Sequence, residues 1–178
     1  MINIRDIIAA FYAFAEPWEE VKNLKGSPID GLIYAEIDAV IVAAIDFWLS
    51  IATGLTVFEV IAPFLFVAIP AALLLSSLIC YIIVKLLTGK GSPKELGKQI
   101  FLSGAVSLPA IIFDITWGLI PGVGYLVLLW SLVVFFFVLK ETYKLSNLRT
   151  LAVEFIPGIV LLMMMFILLV VMNAYIAS

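Results

Sequence analysis

The chain has 178 residues, of which 65% are apolar and 13% charged, with a formal charge of −3 and a mean hydropathy of +1.23. Soluble domains hold ~45–50% apolar and ~25% charged residues, and a fold of this size leaves too much surface exposed to hide such an excess. A soluble enzyme, a disordered chain and a nucleic-acid binder are excluded, the last also because nucleic-acid binding rests on clustered Lys and Arg, which leaves an integral membrane protein.

Residues 1–28 are mixed in character, with no apolar run or cleavage site of the signal-peptide kind. Ile4, Ile7, Phe11, Phe14, Trp18 and Val21 recur at three- and four-residue spacing, one helix face. The polar Asn3, Arg5, Asp6, Glu19, Glu20, Lys22 and Asn23 mostly fall elsewhere, and Pro17 starts a second short helix. The segment reads as an amphipathic cytoplasmic helix, lying in the lipid interface or against the bundle. Through Lys25 it carries three basic and four acidic residues, so hydrophobic docking and not a polybasic anchor must hold it.

Residues 29–178 form the membrane domain. A helical span needs ~20 mostly apolar residues, and five stretches qualify: 31–53, 60–86, 99–117, 121–139 and 152–175. The fold class is therefore all-α, a polytopic bundle of five transmembrane helices preceded by the N-terminal helix. The second stretch is long and holds Pro63 and Pro70, so it must tilt or kink. Two helix starts carry the same device: Ser27, Pro28 and Asp30, and Ser92, Pro93 and Glu95. Ser is the N-cap, Pro occupies the first helical position, and the acid three residues after Ser closes a capping box. This explains the GKGSPKELGK loop, whose glycine spacing also misses that of a phosphate-binding loop.

The ten basic residues fix the topology. Arg5, Lys22 and Lys25 precede the first span; Lys85, Lys90, Lys94 and Lys98 flank the second connection; Lys140, Lys144 and Arg149 flank the fourth. The other connections and the C-terminus carry none. Five spans put all ten on one side, which the positive-inside rule makes cytoplasmic. The N-terminus is expected inside and the C-terminus outside.

Three segments, in order, resemble the Yip-domain (Ypt/Rab-interacting protein) family: FYAFAEPWEEVKNL before the first span, LLTGKGSPKELGKQIFLSGAVSLPAII across the second connection, and LKETYKLSNLRTLAVEFIPGIV across the fourth. The resemblance, to prokaryotic-type members, implies five spans with a cytoplasmic N-terminus, a prokaryotic cell membrane as location, and no catalytic signature. Eukaryotic members associate with Rab-type GTPases. The long hydrophilic N-terminal region and the Asp-Leu-Tyr-Gly-Pro motif of those members are missing from this sequence, so such a GTPase is not the expected partner.

Chemistry is narrowly bounded. There is no histidine and one cysteine, Cys80, which removes Ser/His and Cys/His catalysis and His-ligated metals. No catalytic residue, metal site or cofactor is expected. Ionisable groups within a membrane are functional candidates by default. Asp46, Glu59 and Asp114 fall near the outer ends of their spans, where no Lys or Arg is at hand. Two readings stay open: a shared carboxylate site for a proton or hard cation, or acids that simply reach the interface beside Trp48 and Trp117. Nearer the inner side are Glu36, Asp38, Lys85 and Lys98, with Glu36 able to meet either lysine. Glu154 sits in the first turns of the last span, where the helix dipole favours an acid. Ala39 and Ala43, and Ser103 and Ser107, are small-residue pairs suited to close helix contact. The favoured function is a non-enzymatic scaffold associating with the lipid bilayer and with other membrane proteins or itself. The alternative is a small transporter, channel or ion-binding subunit using the carboxylates.

Overall fold

The structure, a computed structural model, describes residues 4–53, 58–118, 120, 122–157 and 159. Among them there is no strand. The helices are α1 (Ile4–Ala15), α2 (Pro17–Glu20) running into a 3-10 turn (Val21–Asn23), α3 (Pro28–Thr53), α4 (Phe58–Thr88), α5 (Pro93–Gly118), α6 (Val123–Tyr143) and a final helix, α7, over 147–157. Three are long and apolar enough to cross a membrane, within Phe64–Thr88, Pro93–Thr116 and Val123–Tyr143. These correspond to the expected stretches 60–86, 99–117 and 121–139. α3 has 26 residues but carries Asp30, Glu36, Asp38 and Asp46, a charge load that keeps it out of that set. Most of 152–175, including Met163, Met164 and Met165, lies outside the described residues.

Both capping boxes form as the spacing requires. Ser27 N–H donates to Asp30 Oδ2 at 2.9 Å and Asp30 N–H to Ser27 Oγ at 3.3 Å. Ser92 N–H donates to Glu95 Oε2 at 2.7 Å and Glu95 N–H to Ser92 Oγ at 3.4 Å. The bonds from Ser27 hold the Asp30 carboxyl below its ordinary range. The Ser92–Glu95 bonds start α5 at Pro93, ahead of the apolar run beginning at 99, so the polar first turns of α5 continue the helix out of the apolar layer.

α3 and α5 run parallel and pack without side chains between them at one crossing. A methyl group at Gly31 would lie 2.5 Å from the Ile100 carbonyl oxygen and 2.6 Å from the Phe101 Cα, and one at Gly104 would strike the Gly31 backbone. Every fourth residue of α3 on this side is small and buried: Gly31, Ala35, Ala39 and Ala43. In hydrocarbon there is no hydrophobic drive between helices, so close packing and interhelical hydrogen bonds must hold them, and small residues admit both. α4 and α6 flank this pair.

The N-terminal segment packs on α5 and α6. Phe14 stacks on Phe113 with ring centroids 5.6 Å apart, and Phe11 approaches the same ring at 6.3 Å. Trp130 Nε1–H donates to the Phe14 carbonyl at 2.8 Å. Trp18 meets Trp130 edge-on at 6.2 Å and Phe137 at 6.4 Å. Of the expected apolar face, Phe14 and Val21 are buried, Ile7 and Phe11 partly so, and Ile4 points away from the bundle with Ile8 and Tyr12. Phe113 lies twenty residues into α5, about 30 Å from its start at 1.5 Å per residue. α1 therefore lies beside the apolar length of α5 instead of across its polar end.

Candidate functional site

The helix ends at 28, 88, 93, 143 and 147 gather at one end of the bundle, and Lys22, Lys85, Lys94, Lys98, Lys140 and Lys144 lie at or near it. Just above this basic end runs a line of polar residues on α5. Glu95, Gln99, Ser103 and Ser107 recur every fourth residue, drifting only ~40° around the helix per step, so they form one stripe through an otherwise apolar helix.

Each neighbouring helix answers this stripe. From α3, Asp38 is fully buried, and the Ser107 hydroxyl is hydrogen-bonded to its Oδ2 as well as to the Gly104 carbonyl, the latter at 2.7 Å. From α6, the Tyr143 hydroxyl donates to Gln99 Oε1, both residues being buried. From α4, buried Cys80 lies against the same Gln99. Lys98, one residue along α5, pairs with Glu141 of α6 at 3.2 Å, and Glu141 also takes Lys144. Hydrogen bonds of this kind, made away from water, draw helices together because an unmet polar group in an apolar medium is costly.

Several polar atoms in this region have no partner among the described residues: Asp38 Oδ1, Ser77 Oγ, Gln99 Nε2, Ser103 Oγ, Thr142 Oγ1 and Glu154 Oε1. No group of three or more Asp, Glu or Cys side chains converges there in a way that could hold a metal ion, among the described residues.

The inner candidates are separated. Asp38 is enclosed, whereas Glu36 is exposed on α3. Lys98 is taken by Glu141 and not by Glu36, and Lys85 lies over the Tyr81 ring at 5.9 Å. Of the outer candidates, Asp114 is exposed on α5, while the side chains of Asp46 and Glu59 lie outside the described residues, as does that of Trp117. Gln99 and Tyr143 were not singled out by sequence. The signal was there, in the four-residue recurrence of Glu95, Gln99, Ser103 and Ser107, but charge attracts attention before amides and hydroxyls do. The small-residue pair Ser103 and Ser107 lies at the helix contact, where Ser107 also supplies the polar bond.

These features, helices of membrane length around a small-residue crossing and a buried polar stripe, run through most of the region that the Yip1 domain matches, residues 11–169. The chain belongs to the Yip1 domain family. That family is one of non-enzymatic membrane proteins. No curated protein and no solved structure matches the chain.

Proposed function

We propose that this member of the Yip1 domain family is a membrane scaffold that works by association with other membrane proteins, with lipids or with a second copy of itself. In this reading the bundle has five spans, the N-terminus is cytoplasmic and the C-terminus outside, as ten cations on one side and none on the other require. The observation that carries the reading is how polar groups are used: buried Asp38 on Ser107 and buried Gln99 on Tyr143, with the partly exposed Lys98 on Glu141, each tie α5 to a neighbour. A scaffold needs a bundle cemented in this way. It also needs a face to offer, and Ile4, Ile8, Tyr12 and Trp18 leave one along the N-terminal segment, from 50% to 74% exposed. At membrane depth an exposed apolar face meets either lipid or a packed neighbour, and crosslinking tells the two apart.

The test is a photo-crosslinking residue placed at Ile8 or Tyr12 of the full chain in its native membrane, with Phe64 of α4, 69% exposed, as the comparison site. The expected result is a discrete protein adduct, to a partner or a second copy, from Ile8 and Tyr12 only. Equal protein adducts from all three sites, or no protein adduct together with no preference among lipids, would overturn the reading.

One observation favours the alternative, a small ion- or proton-handling membrane protein. Asp38 is wholly enclosed and its Oδ1 has no partner among the described residues, and an ionisable group at membrane depth is a candidate for transport. Ion flux through liposomes that depends on Asp38 would establish it.

A further inference from the structure

The flank between the N-terminal segment and α6 holds two hollows. At the basic end a cleft of about 120 Å³ is lined by Pro17, Trp18, Val21, Lys22, Lys140 and Glu141, together with Phe137. A water molecule claims ~30 Å³ in the liquid, so the cleft has room for a phosphate group. Toward the other end of α6 lies an apolar pocket of about 350 Å³, walled by Phe14, Phe113, Leu126 and Trp130 among others.

The charges of the cleft do not cancel. Lys22 and Lys140 make no ion pair among the described residues, and the Lys140 ammonium rests over the Phe136 and Phe137 rings at 6.0 and 5.8 Å. Glu141 contributes the opposing charge, but it is already met by both Lys98 and Lys144. Two lysine ammonium groups are thus left to face an anion. Along α6, Lys140 and Trp130 are ten residues apart, about 15 Å by helical rise. The hydrocarbon core is ~30 Å thick, so one leaflet is ~15 Å. Trp18, half exposed, lines the cleft and lies edge-on to Phe137, also of the cleft, and to Trp130, which walls the pocket.

We propose that this flank is a binding site for one anionic phospholipid, whose phosphate headgroup lies between Lys22 and Lys140 and whose acyl chain runs over Trp18 toward the pocket at Phe14, Phe113 and Leu126. The site deepens the scaffold reading by naming a lipid among its partners, and rests on the bundle being membrane-embedded. A lipid held there joins α2 and the 3-10 turn to α6, and so ties the N-terminal segment to the bundle.

The test is native mass spectrometry of the full chain, released from nanodiscs and titrated with dioleoyl phosphatidylglycerol or dioleoyl phosphatidylcholine. Near a surface each lysine is worth ~1 kcal/mol toward an anionic lipid, about fivefold in affinity. Phosphatidylglycerol is expected to bind in preference, about fivefold weaker in Lys22→Gln or Lys140→Gln and about twentyfold weaker or more in the double variant. Lys94→Gln, an exposed lysine elsewhere on the basic end, is expected to bind as the parent does. Lys22→Arg with Lys140→Arg retains binding, which separates lost charge from lost fold. Equal binding of the two lipids, or an equal loss in Lys94→Gln, would overturn the site. So would displacement of the lipid by millimolar inorganic phosphate, which would make it a soluble-phosphate site. Failure of the scaffold reading appears separately, as Asp38-dependent flux with lipid preference intact.

Discussion

The seam between α3 and α5 and the flank between the N-terminal segment and α6 join helices of one bundle by opposite means. At the seam, Gly31 and Gly104 bring backbone against backbone, and buried Asp38 is hydrogen-bonded across it to Ser107. At the flank, the contact is made by Phe14, Trp18, Phe113 and Trp130, with rings 5.6 to 6.2 Å apart and open volume beside them. Backbone contact has no room to adjust, because nothing between the helices can change rotamer. Aromatic contact with hollows can accommodate another molecule. The difference separates the part of the molecule that holds it together from the part available to a partner.

Substitutions break the comparison in order of severity. Gly104→Val puts side-chain carbons where the Gly31 backbone stands. It is expected to cost about 3 kcal/mol or more, at the upper end for overpacking, read as a lowered thermal midpoint in detergent. An unchanged midpoint would mean the helices do not meet there. Tyr143→Phe removes the hydroxyl from Gln99 and leaves a second buried atom of that amide unpaired. The expected cost is about 1–2 kcal/mol, with much of it recovered when Gln99→Leu is added, a recovery that a double-mutant cycle measures. Trp130→Phe removes the indole donor to the Phe14 carbonyl, together with part of the ring that Trp18 meets edge-on. It is expected to cost about 1 kcal/mol and to speed amide exchange across 4–24 while α3 and α5 exchange as before. Faster exchange throughout would show that the flank is not an independent joint.

How far each region could be read from sequence follows from what its residues announce. Helix starts were legible because Ser27 with Asp30 and Ser92 with Glu95 are local devices whose partners lie three residues away. Four of the expected stretches correspond to α3, α4, α5 and α6 because apolar runs of that length have few alternatives. The small pairs Ala39 with Ala43 and Ser103 with Ser107 pointed to the seam, but Gly31 and Gly104 did not, since a lone glycine carries no record of which backbone approaches it. Lys98 was read toward Glu36 because both lie at the inner side. Its partner is Glu141, 43 residues on, and only the way α5 lies against α6 could choose between them. The N-terminal periodicity gave a helix, yet not its depth, because Phe11 and Phe14 fit an interface as well as they fit Phe113.

The most direct measurement is ion flux into proteoliposomes, under proton and sodium gradients, for the parent chain and for Asp38→Asn. If the buried polar line serves to join helices, both give the flux of protein-free liposomes. Flux above that background in the parent, abolished in a folded Asp38→Asn, would contradict the scaffold and make the same buried carboxyl part of an ion path.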